Sequence, residues 1–506
     1  LSKNDDKLEF LTHPLKPGYR ISLPESVKKA RKEKAIHFVG MGGIGMSGIA
    51  KIFAELNYKI SGSDIKDSPT LFSMAERGAT VFVGHDAKNV EEAGLVVVSS
   101  AIQPDNPEII KSKELGLPIV HRAQMLELLL SGSIEELTNQ VSIGVTGTHG
   151  KTTTSGMLGL MFDHAGLKPT IIVGGQMPVL NSNSKLGSGK YFVAELDESD
   201  GTISLYRPDI TVITNLELDH SDHYKGGLEQ ILDTFEEYIN NLPNDSTVIV
   251  NLDSEGNREL LKRLPDKSSK ILTYSIEKNA PHFEGAKFKA IDMQSEGFNS
   301  KFKVLYQDDM FGEVEIIIPG QHNISNALAA VAVGIESGLG LEKVIAGISR
   351  FVGMRRRFQT IGEINKAKIV DDYAHHPTEI SATLMTAKHI IQNQGHGRVV
   401  AVFQPHRYTR LSTFWDNFTK CFIDADVVFV CDVYSANEQP IENINSEKLS
   451  ACIKNADVTY VSGAIEEVAE KVYHKLQPGD LVLTLGAGSI TKLGNILLEK
   501  LDRVTK

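Results

Sequence analysis

Residues 141–155, VSIGVTGTHGKTTTS, leave little freedom in how the surrounding chain folds: a short apolar strand, a glycine-broken turn, then a helix opening on Lys-Thr-Thr-Thr. Gly147 and Gly150 free the backbone so that consecutive N–H groups can converge on phosphate oxygens, and the helix adds its N-terminus. Lys151 brings a positive charge to the β/γ-phosphates of a nucleoside triphosphate, and the Thr152 hydroxyl suits Mg²⁺. The strict P-loop pattern G-x-x-x-x-G-K-[ST] is not met, because Val145 stands where its first glycine belongs. The plainer alternative is a tight strand–helix turn carrying an exposed lysine.

The same strand–turn–helix alternation recurs along the chain and predicts an α/β fold with parallel sheets. One series starts at Ala35 (KAIHFVGMG, the helical SGIAKIFAELN, then YKISGSD, ATVFVG, GLVVVSS and LPIVH). A second begins at Val141, with strands near 171–173, 191–196, 210–214 and 247–251, a β-rich stretch over 270–318 and the helical NISNALAAVAVGIESG. A third runs from AKIVDDY through GRVVAVFQP, ADVVFVCDVY, VTYVSG and GDLVLTLGAGS. For 506 residues about three domains are expected. The reading is an extension over 1–34 and domains over 35–134, 135–353 and 354–506.

Composition excludes some partners. A net charge of −11 argues against nonspecific binding to nucleic acid or anionic membrane, though not against anionic substrates, which need only local positive charge. No apolar run is long enough for a membrane span, and the N-terminus lacks the apolar core of a signal peptide. Three cysteines without CxxC spacing read as reduced thiols of a cytoplasmic protein. The first residue is leucine, so a processed or trimmed N-terminus is expected.

A second glycine loop follows the first strand. Gly40, Gly42 and Gly45 fit G-x-G-x-x-G, and Asp64 lies 19 residues beyond Gly45. Glycines there let a diphosphate lie on a helix N-terminus, while the acid reaches a ribose or base. That chemistry fits a dinucleotide, hence an NAD-dependent dehydrogenase, and equally a UDP-linked sugar; a turn that merely packs helix on sheet is the bland reading. The triphosphate loop favours the UDP-linked substrate, since a simple dehydrogenase has no use for ATP.

Between these loops and the C-terminus lie the candidates for chemistry. YFVAELDESD ends an apolar strand at Glu195, and TNLELDHSDHY places Asp219 and His220 after the next strand. Ligands gather at the carboxyl ends of strands in an open parallel sheet. Glu195 and His220 are therefore expected to face Thr152 and to hold a divalent ion. Asp197, Glu198 and Asp222 read individually as solvated loop acids. VGMRRRFQ carries Arg355, Arg356 and Arg357 at the expected domain junction, where an arginine can close on a transferring phosphoryl group. DDYAHHPTE groups Asp372, Tyr373, His375 and His376, and FQPHRYTR groups His406, Arg407 and Arg410. No Cys/His spacing supports zinc, so polar substrate contacts are expected.

TGTHGKTTT, AELDESD, TNLELDH, GQHNISNALAA, RRRFQ, DDYAHHPTE and FQPHRYTR, in this order, resemble the Mur ligases, and HFVGMGGIGMSGIA resembles that family's UDP-binding domain. The likeness runs from about residue 35 to the C-terminus and is greatest to the alanine-adding branch; a murein-peptide recycling ligase is the alternative within the family. It implies an N-terminal Rossmann-like UDP-binding domain, a central P-loop ATPase-type domain with a parallel or mixed sheet, and a C-terminal Rossmann-like domain for the amino acid. The implied partners are ATP, Mg²⁺, UDP-N-acetylmuramate and L-alanine, in peptidoglycan synthesis, by a monomer or homodimer.

Carried over by motif, the resemblance puts the UDP substrate at Gly42, Gly43, Ile44, Gly45, Met46, Ser47, Asp64, Ser99 and Ser100. It puts ATP at Gly147, Thr148, His149, Gly150, Lys151, Thr152 and Thr153, with His322, Asn323 and Asn326 beside the adenine and Arg357 and Asp372 reaching the nucleotide. Thr152 and Glu195 would ligate one Mg²⁺ and His220 a second. Tyr373, His375, Arg407 and Arg410 would surround the reacting carboxylate and the amino acid. Relatives adding later residues use a carbamylated lysine near the position of Phe235, so no modified lysine is expected. The segment DVYSANEQP departs from the family's common DVYPAGE form at Ser435 and Asn437, in the expected amino-acid pocket.

Overall fold

The apolar runs read from the sequence become buried strands, and the glycine turns join them to helices lying on the sheets. The computed structural model describes Leu23, Val27, Lys28 and residues 31–221, 223–264 and 269–504. Most of the expected extension, and Asp222, lie outside the described residues. Contacts divide the chain into two compact units, one of residues up to 219, 226–289 and 329–347, the other of 220–225, 290–328 and 348 onward.

The first unit contains two sheets. In the N-terminal one, β1 (Ala35–Val39), β2 (Ile60–Asp64), β3 (Thr80–Val83), β4 (Ala93–Val98) and β5 (Ile119–His121) are all parallel in the order β3-β2-β1-β4-β5. The order reverses between β1 and β4. Such a switch point opens a crevice beyond the carboxyl ends of the two strands. The loop after β1 carries Gly40–Gly43 and leads straight into a helix, and the loop after β4 carries Ser99 and Ser100, so the topology alone sets these segments side by side.

The second sheet holds β6 (Val141–Thr146), β7 (Thr170–Met177), β8 (Ser182–Lys185), β9 (Tyr191–Glu195), β10 (Ile210–Ile213), β11 (Thr247–Asn251), β12 (Lys270–Ser275) and the first residues of β13 (Phe288–Glu296). The order is β13-β12-β11-β10-β6-β9-β7-β8, parallel except for β8, which runs antiparallel to β7. β6 is flanked by β9 and β10, with Val145 opposite Glu195 and Thr146 opposite Ile213. Three loops therefore leave one edge as neighbours. The helix Leu228–Asn240 covers this layer through Ile231, Leu232, Phe235, Tyr238 and Ile239, a one-sided apolar stripe. Phe235 is fully buried in that stripe.

In the second unit, β14 (Asn299–Tyr306) and β15 (Asp309–Ile316) form an antiparallel hairpin. Gln307 and Asp308 turn it in left-handed conformations, as a two-residue turn between right-twisted strands requires. The C-terminal sheet contains β16 (Gln359–Ile364), β17 (Ala367–Asp372), β18 (Val399–Phe403), β19 (Val427–Cys431), β20 (Asp457–Val461) and β21 (Leu481–Leu485), in the order β16-β17-β21-β18-β19-β20. All are parallel but β16, a hairpin partner of β17. Ile369, Val400, Val402, Phe429, Val461 and Val482 of these strands, with Leu493 and Leu497 of the last helix, form one apolar core. The segments after β17, β18 and β19 leave the same edge, which gathers the third set of candidate residues.

Candidate active site

The diphosphate loop is a backbone cradle. Gly40 has φ +80°, and Gly42 N–H donates to Asp64 Oδ2 at 2.9 Å. A Cβ on Gly42 would lie 2.7 Å from that oxygen, so no other residue fits without displacing the acid. Asp64 thus braces the loop with one oxygen. The helix Ile44–Glu55 starts at Gly43 with no side-chain cap, leaving its first N–H groups to an incoming anion. Met46 and Ser47 are buried, and Ser47 Oγ donates to Ile44 O at 3.1 Å. Among the other residues expected here, Gly43, Ile44 and Ser100 are exposed, while Gly42, Gly45 and Ser99 are half-buried.

The triphosphate loop is held from behind. Gly147 (φ +116°) and Gly150 (φ +85°) take conformations that favour glycine, and a Cβ on Gly147 would sit 2.7 Å from Asn215 O. Thr148 N–H donates to Asn215 O at 2.8 Å, His149 N–H donates to Asn215 Oδ1 at 2.9 Å, and Thr214 Oγ1 donates to His149 O at 2.6 Å. The segment after β10 therefore shapes the loop that follows β6. The helix Lys151–His164 begins at Gly150 without a side-chain cap. Thr152 and Thr153 sit buried in its first turn.

Lys151 Nζ donates to the carbonyls of Gly147 (2.6 Å) and Thr148 (3.0 Å) and pairs with Glu198 Oε1 at 2.8 Å. Burial alone would lower the lysine's pKa, but Glu198, Asp197 and Glu195 outweigh it and hold the ammonium charged. Glu198 is 3% exposed, and burial pushes its carboxyl up to about 7 against the pull of Lys151. It is not the solvated loop acid the sequence suggests. Glu195 Oε2 accepts Gly174 N–H at 2.7 Å, which aims this carboxylate along the sheet edge.

A charged network that sequence reasoning missed joins this loop to the N-terminal sheet within the same unit. Arg122 Nη2 lies 2.5 Å from Asp197 Oδ2 and 3.5 Å from Asp200 Oδ2. Ser100 Oγ donates to Asp200 Oδ2 at 2.5 Å and lies 3.0 Å from His121 Nε2. His121 Nδ1 accepts Ala123 N–H as the cap of helix Arg122–Leu130, and burial brings its pKa down to about 4, so the ring is neutral at pH 7. Arg122, despite burial, holds Asp197 and Asp200 below the usual carboxylate range. Its Nη1 is 3.6 Å from where a Cβ on Gly45 would stand. Asp197 too departs from a free loop acid. The only sequence signal was a lone arginine directly after His121 at a strand end, which nothing local distinguishes from a surface charge.

The second unit separates the arginine run. Arg355 is exposed, Arg356 Nη2 donates to Gly486 O at 2.6 Å, and Arg357 lies over the Tyr373 ring (5.2 Å) and 3.6 Å from Glu379. Asp372 accepts Phe358 N–H and Ala374 N–H, each at 2.7 Å. Burial, opposed by Arg357, raises its pKa to about 6. The two adjacent histidines diverge. His376 is buried and caps helix Pro377–Gln394, whereas His375 stands edge-on to Tyr373 and His406 with Nδ1 3.1 Å from Glu379 Oε2. Glu379, not singled out by the sequence, serves both Arg357 and His375. Burial, then His375, Arg410, Arg407 and Arg356, lowers the His406 pKa to about 3. Arg410 is buried, and Arg407 pairs with Glu438 at 3.2 Å.

His322, Asn323 and Asn326 share the start of helix Gln321–Glu336; Asn323 Nδ2 donates to Pro319 O (2.7 Å) and Asn326 Nδ2 to Asn323 Oδ1 (3.2 Å). Burial, reinforced by Arg357, brings the His322 pKa down to about 4. His220 takes φ +51°, its carbonyl accepting the N–H groups of His223 and Tyr224. It belongs to the second unit, and Glu195 and Thr152 to the first.

Three family models match in succession: the Mur ligase family catalytic domain over residues 35–133, the Mur ligase middle domain over 145–334 and the Mur ligase glutamate ligase domain over 356–488. Similar curated proteins include the UDP-N-acetylmuramate–L-alanine ligase of Geotalea daltonii, 42% identical over 473 residues, covering 93% of this chain and 98% of the relative. The enzyme of the same name from Geobacter sulfurreducens is 41% identical over 474 residues, with the same coverage. Among solved structures, the UDP-N-acetylmuramate–alanine ligase of Thermotoga maritima superimposes with a TM-score of 0.78 at 28% identity, over 94% of this chain and 100% of that one. A murein peptide ligase from Psychrobacter arcticus, 24% identical with a TM-score of 0.66 over 92% and 98% of the chains, shares the fold.

Proposed function

The chain belongs to the Mur ligase family, and we propose that it joins L-alanine to the lactyl carboxylate of UDP-N-acetylmuramate with cleavage of ATP to ADP and phosphate, in peptidoglycan precursor synthesis. The observation that carries this reading is identity of 40–42% over nearly the whole chain to curated enzymes of that name. Two separate anion loops in one unit support it: a ligase that takes both a nucleoside triphosphate and a nucleotide-linked acid needs both.

A carboxylate is a poor electrophile, so the reaction proceeds in two steps. The lactyl carboxylate attacks the ATP γ-phosphorus, forming an acyl phosphate and releasing ADP. The alanine amine then attacks the acyl carbon, a tetrahedral intermediate forms, and its collapse expels phosphate. The first step brings two anions together. Lys151 is charged, half-buried and held by two loop carbonyls, so its charge offsets that repulsion. Glu198 is its resting partner, which the triphosphate displaces. Thr152 and Glu195 offer hard oxygen donors and fit Mg²⁺, which when bound would screen phosphate charge; His220 is assigned to a second ion. His322, Asn323 and Asn326 border the adenine, and Arg357 with Asp372 reach the nucleotide. Tyr373, His375, Arg407 and Arg410 surround the reacting carboxylate and the amino acid, with His375 oriented by Glu379. Domain closure would keep water from the acyl phosphate.

We place the domain boundaries near residues 134 and 353 and the protein in the cytoplasm, as a monomer or homodimer. Burial raises the Cys431 thiol to about 12 and the Cys421 thiol further, which suits inert reduced cysteines. Among the described residues no helix is long and apolar enough to cross a membrane. The test is phosphate release with UDP-N-acetylmuramate, ATP and a panel of amino acids and short peptides. Oxygen-18 in the lactyl carboxylate must appear in the released phosphate; unlabelled phosphate refutes the acyl-phosphate route.

A further inference from the structure

The segment after β19 is tied to the segment after β18. Its acid, Glu438, grips the start of the FQPHRYTR helix at three points: Oε2 accepts Thr409 N–H at 3.0 Å, Oε1 accepts Thr409 Oγ1 at 2.7 Å, and Oε1 pairs with Arg407 Nε at 3.2 Å. The main chains are also tied. Arg407 N–H donates to Tyr434 O at 2.9 Å, Tyr434 N–H donates to Pro405 O at 2.8 Å, and the His406 and Tyr434 rings stack 5.5 Å apart at 9°.

Between these anchors Arg407 adopts φ +71°, ψ +135°, a conformation costly for a residue with a Cβ. Such strain persists only where surrounding contacts over-determine it, and Glu438 supplies contacts to its side chain and to Thr409, two residues on. The segment can bend back to do so because Ala436 and Asn437 are left-handed, at φ +49° and +69°. The common family form has glycine at the second position. Asparagine is among the side-chain-bearing residues that enter this region most readily, so the change at Asn437 keeps the bend.

We propose that Glu438 is a positioning residue for the incoming amino acid: by fixing Nε and the strained backbone of Arg407, it sets the direction of the guanidinium fork that receives the amino-acid carboxylate. The proposal rests on the reading that Arg407 binds that carboxylate. An arginine fork selects by geometry, so its aim bears on KM for the amino acid rather than on the phosphoryl step.

The test is steady-state kinetics of the full chain with each substrate varied in turn, on the wild type, Glu438→Gln, Arg407→Ala and the double variant. Loss of one charge-assisted contact predicts that Glu438→Gln raises KM for L-alanine about tenfold. KM for ATP and for UDP-N-acetylmuramate should stay within about twofold, because the proposal assigns this arginine's fork to the amino-acid carboxylate. The double variant should be no worse than Arg407→Ala. An unchanged KM for alanine, an equal rise for all three substrates, or additive effects of the two substitutions overturns the proposal. Should Glu438→Gln fail to fold, Glu438→Asp, one methylene short but still charged, is read by the same criteria. If Arg407→Ala itself leaves KM for alanine unchanged, the assignment of Arg407 falls, and Glu438 with it, while phosphate release dependent on all three substrates would leave the overall reaction standing.

Discussion

Replacing Arg122 by alanine should destabilise the first unit in a way that depends on pH. The guanidinium compensates two carboxylates, Asp197 and Asp200, at 2.5 and 3.5 Å, with side-chain exposures of 15% for Arg122, 35% for Asp197 and 13% for Asp200. Breaking a buried pair costs about 3–5 kcal/mol, because the remaining charge stays buried without its partner. Asp197 is more than a third exposed and solvent screens it, so the estimate falls to the lower end, about 3 kcal/mol. In the wild type both carboxyl pKa values are depressed. Their stabilisation is complete above the unfolded carboxylate value near 3.8 and is lost only as pH falls below it. Without Arg122 burial dominates and raises both values, so the variant sheds its charge repulsion as pH falls from 7 toward 5. Urea unfolding of both proteins at pH 7.5 and pH 5 measures this. The gap should be about 3 kcal/mol at the higher pH and clearly smaller at the lower. An equal gap at both, or none at pH 7.5, would refute the claim that Arg122 acts by neutralising these acids.

Further outcomes follow from the two loops. Lys151→Ala should lower kcat at least about 10²–10³-fold while binding of the UDP substrate, measured by calorimetry, persists; near-normal turnover removes Lys151 from its role. Glu195→Ala and His220→Ala should each shift the Mg²⁺ titration of activity to higher concentration, and an unchanged titration counts against both as ligands. Gly147→Ala should abolish ATP binding and cost about 1–3 kcal/mol, since a Cβ at φ +116° meets Asn215 O at 2.7 Å. Retained ATP affinity would show the loop to be more plastic than its bracing implies. Glu198→Gln should keep the fold while freeing Lys151 from an ionic competitor, so KM for ATP should fall or stay level; a marked rise would make Glu198 a nucleotide contact instead.

What the sequence determined by itself is everything carried by neighbours along the chain. Apolar runs of strand length, glycines before Lys151 and after β1, and the ordered motifs specify β-turn-α units, both anion loops and the family, because backbone conformation and the strand-end position of Glu195 depend on residues within one turn of each other. Only the tertiary structure decided which charges meet. Glu198 becomes the buried partner of Lys151, 47 residues earlier in the chain, and Asp197 and Asp200 meet Arg122 across 75 and 78 residues. Likewise the RRR run divides into an exposed arginine, one bonded to the Gly486 carbonyl and one lying over Tyr373 beside Glu379, and Glu438 reaches Arg407 from another strand end. No local pattern encodes these pairs. Whether an acid is solvated or buried is set by the strand order that brings distant loops to one sheet edge, and by the cost of burying a charge unless an opposite one is placed beside it.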